Sequence, residues 1–162
     1  QKMDLFNQAG KIGELLKNSR KTVSVAETSA GGLISASLLS VSGASSYFLG
    51  GGILYTYESR HKMLSVDESF FEGLRPSTEE YAIRLALGVQ KHLGSDYAIA
   101  ESGASGPSGN RYGDSPGHCC IAVSSSKDSK CITIETGSEN REENMKVFAK
   151  SALSLFQEVL RS

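Results

Sequence analysis

The sequence lacks three features that would assign it to a particular class of protein: excess charge of one sign, abundant cysteine and long apolar runs. Its 17 basic and 18 acidic residues leave a net charge of -1, which argues against bulk binding of nucleic acid or of a membrane surface. No apolar run is long enough to cross a bilayer, and the first residues resemble neither a signal peptide nor a transit peptide. Any recognition of phosphate must therefore be local.

The three cysteines form no recognisable disulfide or metal-binding pattern. Cys119 and Cys120 are adjacent in a strand-like run, so they face opposite sides of that strand. No CxxC pair is matched by a second ligand set, and the three histidines lie far apart. We therefore expect no metal and reduced thiols, which favours a reducing intracellular compartment such as the cytoplasm or an organelle stroma.

Hydrophobic periodicity predicts alternating helices and strands along the 162 residues, which suit a single domain over residues 1–162. The predicted helices cover residues 3–18, 30–40, 58–64 and 141–160, together with one that begins at a Ser77–Glu80 capping box and runs to Leu93. The predicted strands cover residues 22–26, 53–56, 96–101, 118–124 and 131–136. This order predicts an α/β fold, a three-layer α/β/α sandwich on a mostly parallel sheet with one antiparallel strand.

The stretch from residue 22 to residue 40 is central to this pattern. A buried strand turns through Thr28 and Ser29 into a helix that begins with Gly31 and Gly32. Free backbone N–H groups at such a helix start can hold an anion or a developing oxyanion. The alternative is that the two hydroxyls only cap the helix.

Ligands of open α/β sheets bind outside the carboxyl ends of the strands. Three predicted loops meet this condition, at residues 27–32, 56–60 and 102–117, and all are rich in glycine or hydroxyl groups. A glycine-rich loop as long as the third is usually functional inside a compact domain. The candidate site residues are Thr28, Ser29, Gly31, Gly32, Tyr55, Glu58, Arg60, Gly103, Gly106, Gly109 and Arg111.

Four stretches in order resemble the C-terminal domain of the competence/damage-inducible protein CinA, a family that includes nicotinamide-mononucleotide deamidases. AETSAGG at residues 26–32 is similar to the family's AESCTGG, and GASSYF at 43–48, followed by two of the three glycines at 50–52, is similar to GSSxxF. YTYESR at 55–60, followed by LSV at 64–66, is similar to YSNEAK and LGV. SGASGPSG at 102–109 is similar to SGIAGPxGG.

The resemblance implies hydrolysis of the carboxamide of nicotinamide mononucleotide, a pyridine nucleotide, without a metal or cofactor. It also implies a homo-oligomer. The family's serine nucleophile, lysine base and tyrosine fall on Thr28, Arg60 and Tyr55, and Ser29 takes the position of the family's cysteine. A guanidinium stays protonated and cannot act as a base. Lys62 lies about 200° further around a helix and should face elsewhere.

Three hypotheses follow from these substitutions. The first is an active amidase in which Thr28 attacks, Tyr55 relays a proton and Arg60 pairs with an anion. The second is an impaired relative that retains a nucleotide-binding pocket, with Arg60 and Arg111 as anion contacts. The third is a structural assembly module. Because removal of the nucleophile or base of such an enzyme can cost on the order of 10⁴- to 10⁶-fold in rate, the second is favoured slightly over the first.

Overall fold

The computed structural model describes residues 4–162. Residue 3, which begins the first predicted helix, lies outside the described residues. The elements are α1 (Leu5–Ser19), β1 (Val23–Glu27), α2 (Leu33–Leu39), a 3₁₀ turn (Ala44–Ser46), β2 (Phe48–Ile53), α3 (Tyr57–Leu64), a second 3₁₀ turn (Glu68–Phe71), α4 (Glu79–Leu93), β3 (Tyr97–Gly103), β4 (His118–Ser124), β5 (Ser129–Glu135) and α5 (Arg141–Arg161). Every predicted helix and strand therefore has a counterpart, with shifts at several ends.

The five strands form one sheet in the order β2-β1-β3-β4-β5. β1 pairs in parallel with β2 and β3, whereas β4 pairs antiparallel with both β3 and β5. Only β4 runs against the other four strands, which agrees with the predicted single antiparallel strand. The expectation of a mostly parallel sheet holds only in part, because two of the four neighbouring pairs are antiparallel.

Helices cover both faces of the sheet, which confirms the three-layer sandwich. α1, α2 and α5 pack on one face through buried residues such as Ile12, Ile34 and Phe148. α4 packs on the other face together with the end of α3. Cys119 belongs to the first core and Cys120 to the second, as their adjacency in a strand predicts. Among the described residues, no helix is both long and apolar enough to cross a membrane.

The second strand lies earlier than predicted. β2 covers Phe48–Ile53, including three consecutive glycines, whereas the strand was expected at residues 53–56. A Cβ at Gly51 would lie 2.8 Å from the backbone oxygen of Val25 in β1. Glycine therefore permits the close pairing of these two strands, and Tyr55 lies beyond the end of the strand.

Two predicted helix starts are also wrong. α2 begins at Leu33 rather than at residue 30, because Gly31 and Gly32 have φ values of 68° and 104°, which are incompatible with a right-handed α-helix. α4 is capped by Thr78, whose hydroxyl accepts from the Tyr81 amide, and not by Ser77. Ser77 is buried with a φ of 65°, and its amide donates to the Ser102 hydroxyl at 3.0 Å. Ser77 thus belongs to the contact between α4 and β3.

Candidate functional site

A cleft of about 570 Å³ lies beyond the carboxyl ends of β1, β2 and β3. Thr28, residues 54–58, residues 102–103 and residues 110–112 contribute to its lining. The three loops that the sequence places at one sheet edge therefore do meet. Five of the candidate residues line this cleft, namely Thr28, Tyr55, Glu58, Gly103 and Arg111. The other six, Ser29, Gly31, Gly32, Arg60, Gly106 and Gly109, are not among the lining residues.

The Thr28 hydroxyl donates a hydrogen bond to a group that cannot act as a general base. Its Oγ1 lies 3.1 Å from the backbone carbonyl oxygen of Glu101, and Thr28 is only 9% exposed. A nucleophilic hydroxyl needs a neighbour that accepts its proton as attack proceeds. The hydrogen bond to a carbonyl orients Thr28 but does not activate it.

Most of the backbone N–H groups around this turn already donate to acceptors within the chain, so they are not available to a ligand. One Glu27 oxygen accepts from the amides of Gly32 and Ile34 at 3.0 and 3.1 Å, and the other accepts from the amide and hydroxyl of Ser35 at 2.8 and 2.7 Å. The Gly31 amide donates to the Thr28 carbonyl. The Glu27 carboxylate therefore occupies the position at the start of α2 where an anionic ligand was expected.

Glu101 is a buried carboxylate that the sequence reading missed. One of its oxygens accepts from the amides of Thr28 and Ala30 at 2.6 and 2.7 Å, and the other accepts from the Ser29 hydroxyl at 2.8 Å. Burial raises the pKa of Glu101 to about 7, although these three donors oppose the shift. An acidic residue directly after the apolar strand residues 97–100 is the signal that could have identified it.

Arg60 is enclosed by aromatic rings on the α3–α4 side of the molecule. Its guanidinium carbon lies 4.3, 4.1 and 5.3 Å from the ring centroids of Tyr57, Phe71 and Tyr81. Nη1 donates to the Tyr81 hydroxyl at 2.9 Å, and the residue is only 7% exposed. Arg60 lines a second cavity of about 650 Å³, which adjoins the cleft at Tyr57 and Glu58.

Lys62 does not replace the missing lysine. Its Nζ forms an ion pair with Glu58 at 2.7 Å, and both side chains are largely exposed. This i,i+4 pair lies on the solvent face of α3, as the helical spacing predicts. Lys62 is not among the residues that line the cleft.

The glycines of the loop at residues 102–117 permit close backbone packing and contribute little to the lining of the cleft. Side chains at Gly103 or Gly109 would collide with the backbone oxygens of His118 and Asp114. The Gly106 carbonyl accepts a hydrogen bond from Arg141 of α5. The loop therefore brings Arg111 to the cleft on a framework of backbone contacts that only glycine permits.

His118 connects the start of β4 to the same loop and to the start of α4. Its Nδ1 lies 2.6 Å from a Glu135 oxygen and its Nε2 lies 2.8 Å from the Ser77 carbonyl oxygen. Because both partners are acceptors, both contacts are hydrogen bonds only when both ring nitrogens carry protons. Burial alone would lower the pKa of His118, but the bonds to Glu135 and Ser77 and the nearby Asp114 raise it overall.

Among residues 4–162, no group of three or more His, Cys, Asp or Glu side chains is arranged to hold a metal ion.

Comparison with known proteins identifies one family. The family model described as the CinA C-terminal domain matches residues 6–160. A CinA-like protein from Chlorobium limicola is 33% identical over 147 residues, which are 88% of this chain and 34% of the relative. A CinA-like protein from Desulfosudis oleivorans is 32% identical over 161 residues, which are 96% of this chain and 39% of the relative. The chain thus spans little more than a third of the length of these relatives.

Solved structures agree on the fold. A CinA superfamily protein from Klebsiella pneumoniae superposes with a TM-score of 0.91 at 19% identity, covering 98% of this chain and 99% of that chain. The competence/damage inducible protein CihA from Agrobacterium tumefaciens superposes with a TM-score of 0.89 at 23% identity, covering 99% and 98%. At these identities the likeness establishes the architecture and nothing finer.

Proposed function

The chain belongs to the CinA C-terminal domain family, and from this premise we propose that it binds a pyridine mononucleotide in the cleft while its amidase chemistry is impaired. The family resemblance indicates the class of ligand, and the cleft is the proposed binding site. Its volume of about 570 Å³ lies within the range typical of small-molecule sites. The aromatic rings of Tyr55 and Tyr57 can pack against a planar base, and Arg111 can pair with a phosphate.

The observation that carries the proposal is that neither partner of a nucleophile–base pair is in a working arrangement. Thr28 donates to a backbone carbonyl. Arg60 donates to Tyr81 beneath three aromatic rings, and a guanidinium cannot take a proton at neutral pH. Loss of a base or nucleophile lowers the rate by about 10⁴-fold or more.

Ammonia release from nicotinamide mononucleotide tests the proposal. We expect the purified protein to give no ammonia above the blank, with an active nicotinamide-mononucleotide deamidase assayed in parallel as the positive control. Robust turnover that is lost in Thr28→Ala but kept in Ser29→Ala would contradict the proposal.

Binding is measured separately by titration with the mononucleotide. We expect saturable binding that weakens in Arg111→Ala, whereas Lys150→Ala on the exposed side of α5 should leave it unchanged. Absence of saturable binding would instead favour the structural assembly module.

One contact favours a second candidate, an active amidase that uses a different hydroxyl. Ser29 Oγ donates to the Glu101 carboxylate at 2.8 Å, and a carboxylate with a pKa of about 7 is well matched to general-base catalysis at neutral pH. Ser29 would attack the carboxamide carbon as its proton passes to Glu101, and that proton would leave with ammonia. Ammonia release that is lost in Ser29→Ala and Glu101→Gln but kept in Thr28→Ala would establish this candidate. It ranks second because Ser29 does not line the cleft.

A further inference from the structure

Arginine and tyrosine side chains alternate in one continuous stack along the cleft. The order is Arg60, Tyr57, Arg111, Tyr112 and Arg75, and we call this set the arginine–tyrosine ladder. The successive distances from guanidinium carbon to ring centroid are 4.3, 5.5, 5.1 and 5.1 Å. All four lie within the range of cation–π attraction. The ladder joins α3, the glycine-rich loop and the segment before α4.

The polar groups of the three central residues, Tyr57, Arg111 and Tyr112, lie close together. Arg111 Nη2 donates to the hydroxyls of Tyr57 and Tyr112 at 2.9 Å each. The two hydroxyl oxygens lie 2.5 Å apart. All three residues line the cleft, with Asn110 beside them. The three polar groups are therefore close enough to contact one ligand group, provided that the hydrogen bond between the two phenols opens to free both phenol protons.

The ladder carries more positive than negative charge. Arg75 is neutralised by Asp114, with nitrogen–oxygen distances of 2.8 and 3.2 Å. Among residues 4–162, neither Arg60 nor Arg111 forms an ion pair with a carboxylate. Glu58 also lines the cleft, but its charge is paired with Lys62 at 2.7 Å. The centre of the ladder thus retains uncompensated guanidinium charge.

The phenol of Tyr57 lies next to this uncompensated charge. Its pKa is lowered, first by the hydrogen bond from Tyr112 and further by Arg111 and Arg60, although burial opposes the shift. Surroundings that stabilise a phenolate also stabilise a bound anion at the same place. The side chains that face this phenol, from α3, α4 and the glycine-rich loop, are Arg60, Tyr81, Tyr112 and Arg111.

We propose that Tyr57, Arg111 and Tyr112 form a phosphate-monoester site, in which the guanidinium and both phenol hydroxyls donate to one dianionic phosphate. This inference rests on the proposed function for the rest of the ligand, and it goes further by making two tyrosines the determinants of phosphate recognition. Each phenol oxygen can keep accepting from Arg111 while its own proton turns toward the anion. The hydrogen bonds from Arg111 Nη2 to the two phenol oxygens orient its guanidinium, which lowers the entropic cost of binding.

The site is tested by calorimetric titration at low salt with three probes: inorganic phosphate, nicotinamide mononucleotide and nicotinamide riboside, which lacks the phosphate. We expect the mononucleotide to bind at least 10-fold more tightly than the riboside. Tyr57→Phe and Tyr112→Phe should each weaken phosphate and mononucleotide binding about 5- to 10-fold, and Arg111→Ala about 10- to 100-fold. Riboside binding should not change in these variants.

The Phe variants keep the rings and hence the stack, so folding is preserved and is checked by the melting temperature. Tyr97→Phe is the matched control, because Tyr97 packs on Phe156 away from the cleft. Equal affinity for mononucleotide and riboside, or phosphate affinity unchanged in Tyr57→Phe and Arg111→Ala, would overturn the phosphate site while leaving pyridine binding intact. If inorganic phosphate binds and the ladder variants weaken it, but nicotinamide riboside does not bind, the result would support the phosphate site and overturn the pyridine assignment. If no probe binds, both are wrong.

Discussion

Arg60 is held as a flat cation between aromatic faces, and the shape of the guanidinium explains this position. A planar, weakly hydrated group can contact rings on both of its faces and still donate in its own plane to the Tyr81 hydroxyl at 2.9 Å. A lysine ammonium is a compact, strongly hydrated charge without flat faces to stack on the rings. Arg60 therefore fills a structural position in this chain, where the family resemblance implies a base.

Arg60→Lys should accordingly lower the free energy of unfolding by about 1–2 kcal/mol, because it removes ring contacts and the bond to Tyr81. Urea unfolding followed by circular dichroism measures the effect. Arg161→Lys, on the exposed end of α5, is the matched control and should change the free energy by less than about 0.5 kcal/mol. Equal stability of the wild type and Arg60→Lys would show that the rings do not select the guanidinium.

Single residues of the cleft could be predicted where strand ends and loop chemistry determined them. Thr28, Tyr55 and Arg111 lie in the cleft because all three follow carboxyl ends of strands. The environment of Arg60 could not be predicted, since its rings come from α3, α4 and the turn between them. Glu101 was missed because a strand pattern gives the face of a residue but not the hydroxyls and amides that it meets there.

At the scale of elements, the buried side chain of Asn144 joins α5 to the glycine-rich loop, in addition to the hydrogen bond from Arg141 to Gly106. Asn144 Nδ2 donates to the carbonyl oxygens of Ser105 and Ser138 at 2.7 and 2.8 Å, and its Oδ1 accepts from the Thr136 hydroxyl at 2.6 Å. The residue is fully buried. The helix thereby fixes the loop that presents Arg111 to the cleft.

Asn144→Ala should cost on the order of 2–4 kcal/mol of unfolding free energy, because it leaves two carbonyls and a hydroxyl without this partner in a buried place. It should also speed amide hydrogen exchange in residues 104–117. Lys146→Ala, an exposed change on the same helix, should do neither. A loss of stability without faster exchange in the loop would contradict the coupling of α5 to the loop.

Element types were predictable and element ends were not. The amphipathic repeats of α1, α4 and α5 and the apolar run of β4 are long enough for a helix or a strand to be assigned from the sequence. The end of α2 nearest the cleft depended on the left-handed backbone of Gly31 and Gly32. The start of β2 was not predicted because residues 50–52 are glycines without the side-chain pattern of a strand, whereas their lack of side chains is what permits close pairing with β1.

At the scale of the whole molecule, two buried groups tie stability to pH in the same direction. Glu101 has a pKa raised from 4.5 to about 7, and His118 has a pKa raised above 6.5. In both cases the folded protein holds the proton more tightly than the unfolded chain. Their contributions to stability are therefore complete below pH 4.5 and pH 6.5 respectively, and are lost as the pH rises through each folded pKa.

We therefore expect the free energy of unfolding to fall between pH 5 and pH 8. Glu101→Gln should flatten the fall between pH 5 and 7, and His118→Gln should flatten it above pH 6.5. Urea unfolding at four pH values measures each slope. A wild-type stability that rises over this interval, or slopes that both variants leave unchanged, would show that these groups do not govern it.

The chain contains six tyrosines and no tryptophan, and four of the six, Tyr55, Tyr57, Tyr81 and Tyr112, line the cleft. The remaining two are fixed elsewhere, Tyr47 by a bond to the Leu38 carbonyl and Tyr97 against Phe156. Near-ultraviolet absorption and intrinsic emission of this protein therefore come largely from the cleft itself. An anion that enters the ladder changes the polarity around these phenols, so occupancy can be read optically without any label.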